Sequence, residues 1–221
     1  MYHRILDLPE DAGAAQRDYT VSPAQFEEQL RYMKEQGFQP IRLYDLNAHL
    51  QLGSPLPDRP VIVTFDDGYR DNFTAAFPLL QKYGFTATFF INTQPIHDEY
   101  PAYMTWEQVR QMSRQGMDVE SHSHSHPNLK GKPPEEVARE VIRSKELIQN
   151  HTGKMVRFFS YPYGHYDQQV VDILMTEGFW GAVTLRSGVV QGSRAMFDLQ
   201  RVWVRYDDTL DAFVAKLERG W

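Results

Sequence analysis

The sequence predicts an α/β protein: a single-domain distorted (β/α) barrel of roughly seven to eight parallel strands with outer helices, spanning residues 1–221. Three observations lead there. Short β-favouring runs alternate with capped amphipathic helices about eight times, a pattern that calls for parallel strands joined by crossover helices. A chain of 221 residues with 42% hydrophobic content is long enough to bury one substantial core. Finally, His3, Asp66, Asp67, His122 and Tyr161 all fall at the C-terminal ends of predicted strands, which meet on one face of such a barrel.

In chain order, Tyr2 to Leu6 is the first predicted strand, and the polar residues 7–20 are predicted as a loop. Ser22-Pro23-Ala24-Gln25 opens a helix: serine caps, proline suits the first turn, Gln25 completes a capping box, and Val21 staples onto Phe26. Phe26, Leu30 and Met33 form its apolar stripe, and Gly37 ends it. Pro40 to Leu43 is the second strand. A Pro-rich loop, Gly53 to Pro60, leads into the third, which starts at Val61 and carries the two aspartates. A helix over Asp71 to Tyr83, bent at Pro78, precedes strand four, Thr86 to Ile91. Thr105-Trp-Glu-Gln108 is a second capping box, and its helix ends at Gly116 before strand five, Met117 to Ser121. A long helix over Pro134 to Asn150 follows. Val156 to Ser160 is strand six, Asp167 to Glu177 a helix, Gly181 to Leu185 strand seven and Gln200 to Val204 strand eight. A last helix starts near Asp208.

Composition narrows the function. The formal net charge is −6 without any Lys/Arg block, which argues against nucleic acid or an anionic membrane as partner. No apolar run approaches the roughly 18 residues that span a bilayer. The N-terminus, Met-Tyr-His-Arg-Ile-Leu, lacks the apolar core of a signal peptide, so the expectation is a cytoplasmic protein or one whose leader has been removed. The chain has no cysteine, so a transition metal would have to be held by His and carboxylate.

Two clusters carry the chemistry. Val61-Ile-Val-Thr-Phe-Asp-Asp-Gly68 reads as a buried strand emptying two adjacent carboxylates into a glycine turn. A solvated Asp-Gly turn is the bland alternative. Downstream, Ser121-His-Ser-His-Ser-His126-Pro127 places three histidines in five residues. Extended, His122 and His126 would stand about 13 Å apart, too far for one ion. Coiled into a turn, positions i and i+4 approach to about 6 Å and chelate, while His124 points elsewhere. The alternative is a histidine-rich surface loop. Joined to Asp67, His122 and His126 make a two-His, one-carboxylate set for one divalent ion, Zn²⁺ best, with Co²⁺, Ni²⁺ or Fe²⁺ fitting nearly as well. Asp66 stays free to take a proton.

Thr64-Phe-Asp-Asp-Gly68, His122-Ser-x-x-His126-Pro127 and Tyr161-Pro-Tyr-Gly164, in that order across most of the chain, resemble the successive motifs of the polysaccharide deacetylase family, the NodB-homology enzymes of carbohydrate esterase family 4. Met-Tyr-His-Arg-Ile at the start, Ser22-Pro-x-x-Phe26 and Leu199-x-Arg-Val-x-Val204 are most similar to the branch of poly-β-1,6-N-acetyl-D-glucosamine N-deacetylases. The resemblance implies that Asp67, His122 and His126 hold the metal, that Asp66 is the general base, and that the Tyr163 backbone N–H stabilises the oxyanion. Tyr161, Pro162 and Gly164 would shape the groove wall. Tyr100, Tyr103, Trp106 and Trp180 are candidate sugar-stacking aromatics, with ordinary packing as the alternative.

Two departures from the family pattern stand out. The arginine that usually precedes the Pro-Tyr-Gly turn and pairs with the base is absent; Ser160 and Tyr161 occupy that region. Arg157 falls on the opposite strand face; Arg201, on the eighth predicted strand, is one candidate for that charge and is also a candidate for the substrate groove. The C-terminal Leu-x-His is also absent. By analogy with the branch, whose barrel is circularly permuted, His3 becomes the candidate general acid, with a core histidine as the alternative. The implied partner is an acetylated polysaccharide met outside the cytoplasm, by a monomer: the β-1,6-linked N-acetylglucosamine polymer first, then chitin, peptidoglycan or acetylated xylan. A barrel that binds polysaccharide without turning it over is the competing class.

Overall fold

The computed structural model describes residues 1–219. In chain order its elements are β1 (Arg4–Ile5), α1 (Ala14–Tyr19), β2 (Thr20–Val21), α2 (Pro23–Glu35), β3 (Gln39–Pro40), α3 (Leu43–Leu52), β4 (Pro60–Val61), β5 (Thr64–Phe65), α4 (Phe77–Tyr83), β6 (Thr88–Ile91), α5 (Thr93–His97), α6 (Trp106–Arg114), β7 (Asp118–Ser121), α7 (Pro134–Thr152), β8 (Phe158–Ser160), α8 (Gln168–Thr176), β9 (Gly181–Val183) and α9 (Leu210–Arg219). Strands β5 to β9 form one parallel sheet in sequence order, and the β1–β2 and β3–β4 pairs stand apart from it. Its register sets Phe65 beside Phe89, Ile91 beside Ser121, Ser121 beside Phe159, and Ser160 beside Val183. All five strands therefore end on the same edge.

The main sheet has five strands, which corrects the expected seven to eight. The stretch expected as an eighth strand explains the overcount. Leu199 bridges Val183, and Val204 N–H donates to the Met1 carbonyl at 3.2 Å. The Met1 amine donates to the Val202 carbonyl, and Tyr2 bridges Phe65. These contacts link the two edges of a curled sheet, yet no ladder forms. The Gln200 backbone is satisfied by the Gln191 side chain, and Arg201 N–H by the Arg186 carbonyl.

Three further expectations need correction. Residues 7–20 are not all loop: α1 forms inside them, its start tied by Gln16 Oε1 accepting from Gly13 N–H. The strand over Pro40 to Leu43 shrinks to Gln39–Pro40, because the Asp45 carboxylate accepts from Arg42 N–H at 2.8 Å and starts α3. The helix expected from Asp71 begins as a π-helical turn, Asn72–Ala76, before Pro78, whose ring nitrogen has no hydrogen to donate. Both capping boxes form: Ser22 Oγ accepts from Gln25 N–H and Thr105 Oγ1 from Gln108 N–H.

Strand alternation sorts the core into two layers. Phe65, Phe89, Phe159 and Ala182 face outward and pack with Tyr2, Phe26 and Leu30 beneath the helices. Phe90, Phe158 and Val183 face inward with Leu43, Met196 and Leu199. Asp66, His122 and Ser160 share this inward parity and lie at the strands' C-terminal ends, above those apolar residues.

Glu120 shares the inward layer and is 1% exposed. One carboxyl oxygen accepts from the Arg157 and Phe158 N–H groups at 2.8 Å, and the other meets the Tyr44 hydroxyl, which also reaches the Met155 carbonyl. Burial is the dominant effect and pushes its pKa from 4.5 up to about 8, against those hydrogen bonds. A raised folded pKa means that the native state holds the extra proton. That contribution is complete below the ordinary carboxylate range and is lost as pH rises through about 8, at up to about 1.4 kcal/mol per pH unit. Glu120→Gln keeps an acceptor for the two N–H groups and a donor toward Tyr44. Urea unfolding of this variant between pH 5 and 8.5 is expected to show a shallower decline in stability than the parent; an unchanged slope would contradict the assignment.

Candidate metal centre and active site

The aspartate-bearing strand ends in two left-handed residues, Asp67 (φ 73°) and Gly68 (φ 83°). Asp is among the few non-glycine residues that tolerate this region. Gly68 is required, because a β-carbon there would lie 2.9 Å from Ile91. The turn keeps Asp66 in the inward layer, 1% exposed, and swings Asp67 toward the loop after β7. That loop coils as its spacing predicts, through Ser123 (φ 66°) and His126 (φ 60°), with the Ser123 hydroxyl accepting from His126 N–H at 3.0 Å.

The result is a triangle of donor atoms. Asp67 Oδ1 lies 3.5 Å from His122 Nε2 and 3.5 Å from His126 Nε2, and the two nitrogens are 3.1 Å apart. Donors around one tetrahedral ion at about 2.0–2.1 Å are spaced about 3.3–3.4 Å, so the three residues fit a Zn²⁺-sized cation without rearrangement. His122 Nδ1 donates to the Ser160 carbonyl at 2.7 Å, which sets the tautomer and leaves Nε2 as the ligand atom. Burial, reinforced by the neighbouring His122, pulls the His126 pKa from 6.5 down to about 4, so this ring is neutral and able to ligate near pH 7. Burial also opposes charge on His122, but the Asp67 carboxylate outweighs it and raises the imidazole; Asp67 is lowered in return.

Beside the triangle sits a buried ion pair. Arg201 donates to both Asp66 oxygens at 2.7 Å, and Ser160 Oγ bridges Asp66 and Arg201 at 3.1 Å each. Arg201 also donates to the Thr184 carbonyl. Burial alone would raise the Asp66 pKa; the guanidinium more than offsets it and holds the carboxylate well below its ordinary range. Arg201 thus stands where the absent arginine was sought. It is 7% exposed and committed to Asp66, so its placement in the substrate groove is corrected.

The other candidates divide. Tyr163 (φ 60°) is 54% exposed, with its ring 4.8 Å from that of His126. Gly164 (φ 67°) allows this turn, since a β-carbon there would sit 2.8 Å from the Leu185 side chain. Tyr103 reaches the site region, stacked on Tyr69 at 4.9 Å, with Met104 N–H bonded to the Gly68 carbonyl. His3 is buried, with the inward parity of Asp66 and the rings of Tyr19 and Trp203 against it; its Nδ1 has no hydrogen-bond partner among the described residues. Burial lowers its pKa while the Asp66 and Asp67 charges pull it up.

Tyr161 is not a groove residue. It shares the outward parity of Phe159, is 1% exposed, stacks on Tyr166 at 4.3 Å and donates to the Phe197 carbonyl. Pro162 is buried as well. Trp106 stacks on His151 of α7 at 4.0 Å, in the helix layer. Trp180 precedes β9, at the sheet end opposite the metal triangle, packed against Tyr44 and Arg157. Sequence reasoning gave no role to Ser160, although two-residue alternation from Phe158 places it in the inward layer. It also missed Trp203, which shares Arg201's parity.

The sequence model described as polysaccharide deacetylase matches residues 53–180, more than half of the chain. YxkH of Bacillus subtilis, a provisionally named polysaccharide deacetylase, is 30% identical over 218 residues, covering 99% of this chain and 75% of that protein. The poly-β-1,6-N-acetyl-D-glucosamine N-deacetylase of Escherichia coli K12 is 24% identical over 94% of this chain, which spans only 37% of the E. coli protein. Among solved structures, the Streptococcus pyogenes deacetylase PplD, determined with acetate, superposes with a TM-score of 0.90 over 98% of this chain and 95% of its own, at 23% identity. Matched across its aspartate, histidine and Pro-Tyr-Gly motifs, the chain belongs to the polysaccharide deacetylase family.

Proposed function

We propose that residues 1–221 form one metal-dependent catalytic domain that removes N-acetyl groups from an N-acetylglucosamine polymer, with the β-1,6-linked polymer as preferred substrate and an extracytoplasmic place of work. The observation that carries the chemistry is the donor triangle of Asp67, His122 and His126, spaced for one ion, with the Asp66–Arg201 pair alongside. The linkage rests on the E. coli relative and on a similarly named Staphylococcus aureus protein, 22% identical over 90% of this chain.

Zinc held by Asp67, His122 and His126 would polarise the acetyl carbonyl and lower the pKa of a nearby water. Asp66 accepts the proton as that water attacks: Oδ2 takes bonds from both Arg201 and Ser160, whereas Oδ1 accepts only from Arg201 and keeps a lone pair for the proton. The Tyr163 N–H donates to the developing oxyanion. His3 returns a proton to the leaving amine. The Tyr163 ring and Tyr103 offer flat apolar faces to the pyranose.

The test is acetate release from N-acetylglucosamine oligomers that differ only in linkage, before and after removal of metal with dipicolinate and again after adding Zn²⁺ or Co²⁺. Chelation is expected to abolish release, readdition to restore it, and β-1,6-linked oligomers to turn over fastest. Release that survives complete chelation would rule out the metal reading. Oligomer binding without release by the zinc-loaded protein would favour the non-catalytic class.

A further inference from the structure

The third histidine of the motif, His124, does not join the donor triangle, and its surroundings account for it. The loop over residues 123–126 is held from two sides. On one side α5 supplies the Gln94 N–H to the His124 carbonyl at 2.8 Å, and Thr93 Oγ1 meets His124 Nδ1 at 2.8 Å. On the other side α7 supplies Glu140. Its Oε2 accepts from His124 N–H at 2.9 Å and from Ser125 N–H at 2.7 Å, and its Oε1 accepts from the Ser125 hydroxyl at 2.6 Å. One turn further along the same helix face, Ser144 Oγ bonds Ser121 Oγ at 2.6 Å, at the start of the loop.

From this geometry we infer that Glu140 is a positioning residue for the metal centre: its carboxylate fixes the left-handed loop that carries His126 to within 3.1 Å of His122. The two imidazoles are supported unequally. His122 follows directly from β7, is buried, and is oriented by the Ser160 carbonyl. His126 is half-buried; between it and β7 lie four loop residues, one of them, Ser123, in the left-handed region that costs a non-glycine residue free energy, as does His126 itself. A polymer of ordinary L-residues holds such a shape only when side chains over-determine it. Glu140 supplies three of those constraints, all to the two residues that precede His126. Its removal frees His126 while leaving Asp67 and His122 in place. Metal affinity should therefore fall without loss of the fold.

This inference rests on the metal reading above, and its test is zinc binding, with no substrate present. Metal-free protein is titrated with Zn²⁺ against a chromophoric chelator, and folding is followed by near-ultraviolet circular dichroism. Absence of zinc binding by the parent chain would overturn the metal site itself, before any variant is compared. Glu140→Ala is expected to weaken zinc binding about 10–100-fold, the range seen when groups that orient metal ligands are removed. Glu140→Gln can restore the pattern: its Oε1 accepts from both N–H groups, and its amide donates to Ser125 Oγ, which can accept. It should recover affinity to within a few-fold of the parent. Ser125→Ala removes one of the three bonds from an exposed residue and should produce a smaller loss; this variant decides the question should Glu140→Ala fail to fold. Parental zinc affinity in Glu140→Ala or in Ser125→Ala would overturn the inference. So would a Glu140→Gln protein as weak as Glu140→Ala, because charge rather than hydrogen bonding would then be responsible.

Discussion

Asp66→Asn is expected to lower kcat for acetate release by about 10²–10⁴-fold while zinc affinity stays near parental. The two halves of this result have different origins. Zinc would be held by Asp67, His122 and His126, whose donor atoms make no bond to Asp66. Proton acceptance, by contrast, needs an oxygen that is ionised before the reaction, and the amide cannot supply one. Asp66 is kept ionised in a buried position by Arg201, at 2.7 Å from each oxygen. That arrangement lowers basicity, so as a general base Asp66 would be weak but always in the correct protonation state. The rate should therefore hold its plateau well below neutral pH on the Asp66 side, and any acidic fall should follow protonation of the histidine ligands. Parental turnover in Asp66→Asn would remove the base assignment, and lost zinc binding would mean that Asp66 is itself a ligand.

Arg201→Met is expected to destabilise the chain by about 3–5 kcal/mol, a large effect for one substitution. Arg201 is 7% and Asp66 1% exposed, so truncating Arg201 leaves a buried carboxylate with only the Ser160 hydroxyl bond against its desolvation. The pH dependence should also change sign. In the parent, the Asp66 pKa is depressed on folding, so its contribution is present above the ordinary carboxylate range and is lost as pH falls through the depressed value. Without the guanidinium, burial dominates and raises the folded pKa. The variant then holds its proton in the native state and loses stability as pH rises. Adding Asp66→Asn to Arg201→Met should recover much of the stability and none of the activity, a coupling typical of residues in direct contact. Urea unfolding of the four proteins at pH 5 and pH 8 checks this. Additive losses in the double variant would show that the pair contributes little as a pair.

The donor set was legible because its geometry is local. The i, i+4 spacing of His122 and His126 requires only a coiled loop to converge, and Asp67 lies at a strand end that parallel pairing brings to the same edge as β7. Arg201 was harder. It lies 135 residues from Asp66, and only the bond between the two reveals the pairing. Tyr161, Trp106 and Trp180 were misplaced because aromatic side chains suit sugar faces and packed cores equally well. Strand parity and strand polarity decide between these, and both depend on knowing which face of which strand looks inward.

By itself, the sequence determined the helices with explicit caps, the α/β class, the three residues whose donor atoms converge and the carboxylate beside them. Each follows from interactions within a few residues, or from the polarity shared by all parallel strands. Tertiary structure alone decided that five strands form the main sheet, that Arg201 neutralises Asp66, and that Glu140 braces the histidine loop. Those depend on which distant backbone and side-chain groups satisfy one another's hydrogen bonds, a choice made only when the chain is packed.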